Sequence, residues 1–271
     1  MRTFDVVTTH ARIAVSDSGA GAPVLLIHGN SACKEIFARQ FDAPQLERFR
    51  LIAFDLPGHG ASSDAMDPPR TYCMPGYADV ALELLLELGI DRYGVLGWSL
   101  GGHIGIELLA RDARVAGLVI TGTPPVGHNH ADVAAGFRPV EHMELTGKEA
   151  FTDEDAEDYA RDSAGSPVPP FLTAAVRRTD GRARRLMLEA ALAGRGADQR
   201  NVMETNDAPV AVITGANEPF VDNDYLARFP YRNLWTRTVH VIPGTSHAPF
   251  WEAPDAFNPL LARFLTDAFG S

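Results

Sequence analysis

The chain has 271 residues, enough for one large domain with an insertion but a tight fit for two independent domains. Hydrophobic residues make up 45% and charged residues 22%, a balance that predicts a packed globular interior and excludes a disordered or fibrous chain. The formal net charge of -11 argues against nucleic acid as a partner, because a polyanion would be repelled.

The first elements in chain order are two short predicted strands, residues 4–7 and 12–15, which lead into a turn rich in glycine at 17–21. Continuously apolar runs then recur along the chain, a pattern typical of strands that are buried on both faces of a parallel sheet. These runs are residues 23–27, 51–54, 94–96, 117–120, 210–213 and 239–242.

Helical patterns separate the apolar runs. Residues 76–88 place Val80, Leu84 and Leu88 on one face, as an amphipathic helix requires. Because strands and helices alternate, we predict an α/β fold with a mostly parallel, doubly wound sheet.

One long interval breaks this alternation. Residues 124–207 contain no clear buried strand, only helical and loop patterns that include the acidic run 153–158. We interpret this interval as a helical cap, or lid, inserted into a core that is formed by residues 1–123 and 208–271.

The cysteine content and the start of the chain indicate the compartment. Only two cysteines occur, Cys33 and Cys73, too few for the disulfide framework of a secreted domain. The start lacks the apolar region of a signal peptide, and no stretch reaches the roughly 18 to 20 apolar residues needed to span a bilayer. The sequence therefore predicts a cytoplasmic protein with no membrane partner.

The strongest chemical signal is the sequence Gly97-Trp98-Ser99-Leu100-Gly101. It follows a predicted strand and precedes a helical pattern at 103–111, the context in which a G-x-S-x-G sequence forms a sharp turn that exposes the serine. A chance glycine-serine turn is the alternative, but the position between strand and helix favours a nucleophile. We predict that Ser99 is the nucleophile.

Nucleophilic attack on a carbonyl creates an oxyanion, which needs hydrogen-bond donors already in place. The backbone N–H of Leu100, next to the serine, is the first candidate. The second is the N–H of Asn30, in the loop at 28–31 that directly follows an early strand. His28 precedes the serine in the chain, so we interpret it as a structural residue that braces this loop.

The base that accepts the serine proton is expected after the last strand of the sheet. His247 lies there, and it is the only one of nine histidines in a C-terminal loop after a core strand. We predict that His247 is the base.

The acid that orients the base is expected after the preceding strand. Glu218 lies there, within residues 214–219, and Asp222 and Asp224 are the alternatives. The loop at 121–123, another place for such an acid, contains no carboxylate. We predict that Glu218 is the acid.

A competing tract, His128-Asn129-His130-Ala131-Asp132, resembles the opening of the H-x-H-x-D-H metal motif of metal-dependent lactonases. Val133 stands where that motif requires its last histidine, and no further convincing set of ligands follows. We therefore predict neither a metal nor another cofactor, and we interpret the tract as a solvated loop.

Taken as whole motifs, the sequence resembles the α/β-hydrolase superfamily. The motifs that carry this resemblance are HGNS from His28, DLPGHGAS from Asp55 and GWSLGGH from Gly97. More narrowly, nearly the whole chain is similar to the metal-independent N-acyl-homoserine lactonases. This narrower resemblance rests on ITGTPP from Ile120, the segment around Tyr159, RTDGRARR from Arg178, EPFV from Glu218 and SHAPF from Ser246.

The resemblance implies an α/β-hydrolase fold and a glutamate as the acid, which matches Glu218. It also implies that a tyrosine in the cap holds the substrate, and the counterpart of that tyrosine in this chain is Tyr159. Trp98, beside the nucleophile, is the second candidate for substrate binding. Where the family motif has glycine before the histidine, this chain has Ser246, a change that is not expected to move the imidazole.

The expected function is opening of the lactone ring of N-acyl-homoserine lactones, by attack of Ser99 or of a water activated by His247. A general carboxylesterase with the same triad is the alternative. A non-catalytic receptor is disfavoured because all three triad positions are filled, and an aspartate nucleophile is excluded by Ser99. The expected partner is a small acyl lactone or ester, and monomer and homodimer both remain open.

Overall fold

The computed structural model describes residues 1–165 and 167–270, which form one sheet of eight strands. In chain order the strands are β1 (Arg2–Val7), β2 (Arg12–Asp17), β3 (Ala22–Ile27), β4 (Phe49–Phe54), β5 (Tyr93–Trp98), β6 (Val115–Thr121), β7 (Val210–Gly215) and β8 (His240–Ile242). Their spatial order is β1-β2-β4-β3-β5-β6-β7-β8. β2 pairs antiparallel with β1 and β4, and the other neighbours are parallel. The predicted mostly parallel sheet is confirmed.

Helices cover both faces of this sheet. They are α1 (Ala38–Phe41), α2 (Pro68–Thr71), α3 (Met74–Glu87), α4 (Leu100–Arg111), α5 (His130–Gly136), α6 (Asp153–Ala164), α7 (Leu172–Arg178), α8 (Gly181–Leu192), α9 (Gln199–Thr205), α10 (Asn223–Arg228), α11 (Pro249–Glu252) and α12 (Pro254–Gly270). Within the described ranges, none of these helices is both long and apolar enough to cross a membrane.

Alternate residues of the buried strands supply two apolar clusters, one on each face of the sheet. In β3, Leu25 belongs to the cluster that contains α3 and α4, whereas Leu26 belongs to the cluster that contains α12. A Cβ atom on Gly117 would lie 2.8 Å from the ring of Phe264, so the missing side chain lets α12 approach β6. The continuous apolar runs of the sequence thus reflect burial from both sides.

Between β6 and β7 the chain forms helices α5–α9, and within the described residues it adds no strand to the sheet. Helix α6 turns Ala156, Ala160 and Ala164 inward at helical spacing. Helix α9 instead packs against α4, where Asn206 Nδ2 donates to the carbonyl O of Leu109 at 3.0 Å. We therefore propose that the cap comprises α5–α8, within the predicted interval 124–207, and that α9 belongs to the core.

The carboxyl ends of the parallel strands meet at one edge of the sheet, where α/β folds place their sites. Asn30 follows β3, Ser99 follows β5, Glu218 follows β7 and His247 follows β8. The topology thus gathers residues that are far apart in the sequence.

Candidate active site

Ser99 occupies the sharp turn between β5 and α4. Its φ of 53° and ψ of -117° are rare for a residue other than glycine, and such a conformation costs on the order of 1–3 kcal/mol. Two hydrogen bonds hold it, from Ser99 N to the carbonyl O of Thr121 at 2.9 Å and from Thr123 Oγ1 to the carbonyl O of Ser99 at 2.8 Å. A Cβ on Gly101 would lie 1.9 Å from the carbonyl O of Ile27, so the turn requires glycine there.

His247 and Glu218 form a buried pair. Nδ1 of His247 lies 2.9 Å from both Oε1 and Oε2 of Glu218, and the two residues are 4% and 1% exposed. An ionised carboxylate only accepts hydrogen bonds, so Nδ1 carries the proton and Nε2 retains its lone pair. Glu218 Oε1 also accepts from Phe220 N at 3.0 Å, which fixes the carboxylate.

The imidazole of His247 is packed on three sides. The Phe220 ring meets it edge-on with centroids 4.8 Å apart, and Trp98 Nε1 donates to the backbone O of His247 at 2.9 Å. A Cβ on Gly122, after β6, would lie only 2.5 Å from Cε1 of the imidazole. The ring is therefore fixed in position as well as in tautomer.

Glu252, in α11, is a support residue that the sequence did not reveal. Its Oε1 accepts hydrogen bonds from Ser246 N at 2.9 Å and Ala248 N at 3.2 Å, on either side of His247. Ser246 Oγ adds a third bond to the same oxygen at 2.9 Å. The serine that replaces the family glycine thus gains a partner, and the five-residue spacing from His247 to Glu252 was the only available signal.

The loop after β3 passes directly beside Ser99. A Cβ on Gly29 would lie 3.2 Å from Cβ of Ser99. Asn30 Nδ2 donates to the carbonyl O of Thr146 in the cap at 3.0 Å, which ties this loop to the cap. Among residues 1–165 and 167–270, neither the N–H of Asn30 nor that of Leu100 has a hydrogen-bond acceptor. Both amides are thus free to donate to a ligand.

His28 braces this loop, as predicted. Its ring is fully buried, with Nδ1 2.7 Å from the carbonyl O of Gly29 and Nε2 accepting from Leu56 N at 3.0 Å. Burial lowers the pKa of His28, so the imidazole stays neutral at pH 7.

A cavity of about 210 Å³ opens over Ser99 and His247 and extends beneath the cap. Tyr159 lines it, and burial raises the pKa of that phenol to about 12, so its hydroxyl stays a hydrogen-bond donor at neutral pH. Trp98 also lines the cavity, although it is only 1% exposed. The walls are mainly apolar, and the cap residues among them include Met143, Leu145, Met187 and Leu188.

Three polar residues on the core side of the cavity were missed by the sequence analysis: His103, Glu107 and Gln199. His103 and Glu107 follow Ser99 at successive helical turns of α4, so the i+4 spacing was a signal for both. Gln199 begins α9 and could be placed only once α9 was seen to pack on α4.

The competing candidates make other contacts. Asp222 caps α10, with Oδ1 accepting from Asp224 N at 2.8 Å. His128 lines the cavity but is exposed, and Asn129 caps α5. Within the described ranges, no group of three or more His, Cys, Asp and Glu side chains is arranged to hold a metal ion.

The chain is similar to known proteins in both sequence and structure. Two solved structures of the N-acyl homoserine lactonase AidH are each 47% identical to it with a TM-score of 0.96. One is a glutamate-to-glycine variant complexed with N-hexanoyl homoserine, over 98% of this chain and 97% of that one. The other is a serine-to-glycine variant complexed with N-hexanoyl homoserine lactone, over 99% and 98%.

A curated relative is more distant. The pimeloyl-[acyl-carrier protein] methyl ester esterase of Nitrosomonas europaea is 28% identical over 265 residues, 91% of this chain and 97% of its own length. Residues 22–254 match the family described by the alpha/beta hydrolase fold. This chain therefore belongs to the α/β-hydrolase family.

Proposed function

We propose that this protein opens the lactone ring of N-acyl-homoserine lactones, with Ser99 as nucleophile, His247 as base and Glu218 as acid. The observation that carries the proposal is the buried His247–Glu218 pair, in which both carboxylate oxygens lie 2.9 Å from Nδ1. His247 lines the same cavity as the strained Ser99. The similarity to AidH, which was crystallised with a lactone and with ring-opened products, supports this substrate class.

In the first step, Ser99 Oγ attacks the ring carbonyl carbon while His247 Nε2 accepts the hydroxyl proton. The carbonyl oxygen becomes an oxyanion that accepts hydrogen bonds from the free amides of Leu100 and Asn30. Glu218 stabilises the imidazolium that forms, because its carboxylate faces Nδ1.

In the second step, the ring C–O bond breaks and His247 returns the proton to the leaving oxygen. This oxygen stays tethered to the acyl group as an alcohol, so ring closure competes with hydrolysis. A water that gives its proton to His247 then attacks the ester carbonyl carbon. The bond to Ser99 Oγ breaks, His247 returns the proton to this oxygen, and N-acyl-homoserine is released. In the alternative route His247 activates water directly, and trapping of an acyl group on Ser99 distinguishes the two.

The cavity suits an acyl amide. Its apolar walls take the hydrocarbon chain, and a few polar groups orient the ligand. Tyr159 extends from α6 in the cap and presents a neutral hydroxyl, and we assign it to the substrate amide. Trp98 forms the floor beside the reacting carbonyl.

The first experiment follows proton release during ring opening for the wild type, with and without chelator, and for Ser99→Ala. We expect opening that survives chelation and falls by about 10⁴ to 10⁶ in the variant. Ser63→Ala, at a loop serine outside the cavity, is the matched control and should retain activity. Opening that persists in Ser99→Ala would refute the assigned nucleophile.

A carboxylesterase is the second candidate, and the likeness to the methyl ester esterase of Nitrosomonas europaea favours it. Both activities use the same triad and differ in the fit of the leaving group. Turnover of aryl esters without lactone opening, abolished by Ser99→Ala, would assign the protein to this class instead.

A further inference from the structure

The core wall of the cavity is formed by one face of α4. Ser99, His103 and Glu107 are spaced four residues apart and all line the cavity. At the helical rise of about 1.5 Å per residue, His103 lies about 6 Å along the axis from the nucleophile. A substrate chain that leaves Ser99 along this wall meets His103 first.

His103 holds one unused acceptor. Its Nδ1 lies 2.7 Å from Oε1 of Gln199, and because a carboxamide oxygen only accepts, Nδ1 carries the proton. Burial lowers the pKa of His103, which keeps the ring neutral at pH 7. Nε2 therefore presents a lone pair on the cavity wall, and in the part of the chain that the structure describes no hydrogen bond is formed to it.

The neighbouring polar groups are already engaged. Glu107 Oε2 accepts from Ala197 N at 2.7 Å, and Arg195 Nη1 donates to the carbonyl O of Pro69 at 2.8 Å. The ring of Phe137 lies 6.1 Å from that of His103, so the free Nε2 is set in an apolar surround. An acceptor in such a wall favours a donor on the ligand.

We propose that His103 forms a subsite for a hydroxyl group on the third carbon of the acyl chain and accepts its hydrogen bond at Nε2. The lactone carbonyl carbon and this acyl carbon are about five bonds apart, and an extended chain that advances about 1.2 Å per bond spans roughly 6 Å between them. This length equals the helical offset from Ser99 to His103. The inference rests on the proposed lactonase function and names its preferred substrate.

The subsite discriminates by hydrogen-bond chemistry. A hydroxyl donates to Nε2, whereas a ketone at the same carbon sets one acceptor against another and a methylene leaves Nε2 unpaired. A ligand that displaces water from Nε2 without supplying a new donor carries a penalty, so the hydroxylated lactone is expected to have the highest kcat/KM of the three.

The test compares kcat/KM for three lactones of one chain length, with hydroxyl, ketone or methylene at the third acyl carbon. In the wild type we expect the hydroxylated substrate to be favoured by about fivefold to tenfold over the methylene form. His103→Phe keeps a ring against Phe137 but removes the acceptor, and its ratio should fall to about one. A wild type without this preference, or a variant that keeps it, would overturn the subsite.

A second variant guards against misfolding of the first. Gln199→Met removes the acceptor that fixes the tautomer, so His103 can then present either N–H or lone pair, and the hydroxyl-to-ketone ratio should fall. Phe137→Leu alters the wall without changing a hydrogen-bonding atom and should preserve the ratios. If none of the three lactones is opened, the proposed function itself fails, which is distinct from opening without selectivity.

Discussion

At the carboxyl edge of the sheet, Ser99, Glu218 and His247 are fixed by backbone turns and buried hydrogen bonds. The outer surface of the cap helices α5–α8 is instead linked by exposed ion pairs, such as Arg177 with Asp153 at 3.0 Å. Exposed pairs of this kind contribute about 0–1 kcal/mol each, because water competes for both charges. The comparison indicates that the proposed triad is held by buried contacts, whereas the outer surface of the cap is held by weaker, exposed ones.

The cap is nevertheless anchored by a buried side chain. Arg184 of α8 is 3% exposed and donates to the carbonyl O atoms of Lys148 and Glu149 and to Oγ of Ser31. Its guanidinium lies 3.8 Å from the centre of the Phe151 ring. A single side chain thus joins two cap segments to the loop that contains Asn30, which marks where the cap depends on the core.

Apart from loss of the nucleophile, the largest effect is expected at the His247–Glu218 pair. Glu218→Gln keeps the shape of the side chain but removes the charge that holds the His247 tautomer, so kcat should fall by about 10³ to 10⁴. Initial rates of ring opening at saturating lactone concentration give kcat. Asp222→Asn, at the N-terminal capping residue of α10, should leave kcat within a factor of about three of the wild-type value. Equal losses in both variants would contradict the assignment of the acid.

A smaller but still substantial effect is expected at the anchor. Arg184→Met retains apolar bulk but leaves the carbonyl groups of Lys148 and Glu149 without their donor, and should lower the free energy of unfolding by about 2–4 kcal/mol. Denaturant titration measures this change. Arg185→Met, the adjacent residue with only exposed ion pairs, should change it by less than about 0.5 kcal/mol. If the two variants were equally stable, Arg184 would not be an anchor.

The sequence predicted the core well because its signals are local. The apolar runs located six strands, and G-x-S-x-G located the turn at Ser99. Observed strands extend beyond the runs, since Trp98 and Thr121 pair across β5 and β6 although they fall outside them. Helix α4 begins at Leu100, whereas the sequence predicted a start at residue 103. The glycines at 101 and 102 hide the helical periodicity in the sequence, although they permit close packing in the structure.

The rest depends on contacts between distant segments. The bounds of α5–α8 were not predicted, because α5 and α7 have only seven residues each and α6 and α8 carry many charges. His103 and Glu252 were also missed, since each acts through a partner brought near by folding, Gln199 for the first and the loop around His247 for the second. The spacing of these residues from Ser99 and His247 indicates that they lie near the site, but not which partner each one contacts.

Within the cap, the start of α6 offers a modest test. Thr152 and Asp155 form a capping box, with Asp155 N donating to Thr152 Oγ1 at 3.1 Å and Thr152 N to Asp155 Oδ2 at 2.6 Å. Thr152→Ala should cost about 1 kcal/mol of stability, because one end-of-helix amide loses its acceptor. Thr238→Ala, outside any helix, is the control, and denaturant titration measures both variants. A loss of stability in Thr152→Ala no greater than in this control would argue against a stabilising capping box.

The smallest expected effect is a shift in the pKa of His142, at the rim of the cavity. His142 Nδ1 lies 3.2 Å from Asp162 Oδ2, and this hydrogen bond, with the charges of Asp158 and Glu141, raises the pKa of His142 above its usual value. A raised pKa in the folded state means that the protonated pair stabilises the fold below the unfolded pKa, and this contribution is lost as the pH rises through the folded pKa. Imidazole NMR titration should show a lower pKa in Asp162→Asn than in the wild type. Glu141→Gln should lower the pKa of His142 less, because the carboxylate of Glu141 is 4.0 Å from His142 Nε2 and 90% exposed. A larger decrease in Glu141→Gln than in Asp162→Asn would show that the main partner of His142 is Glu141, outside the cavity.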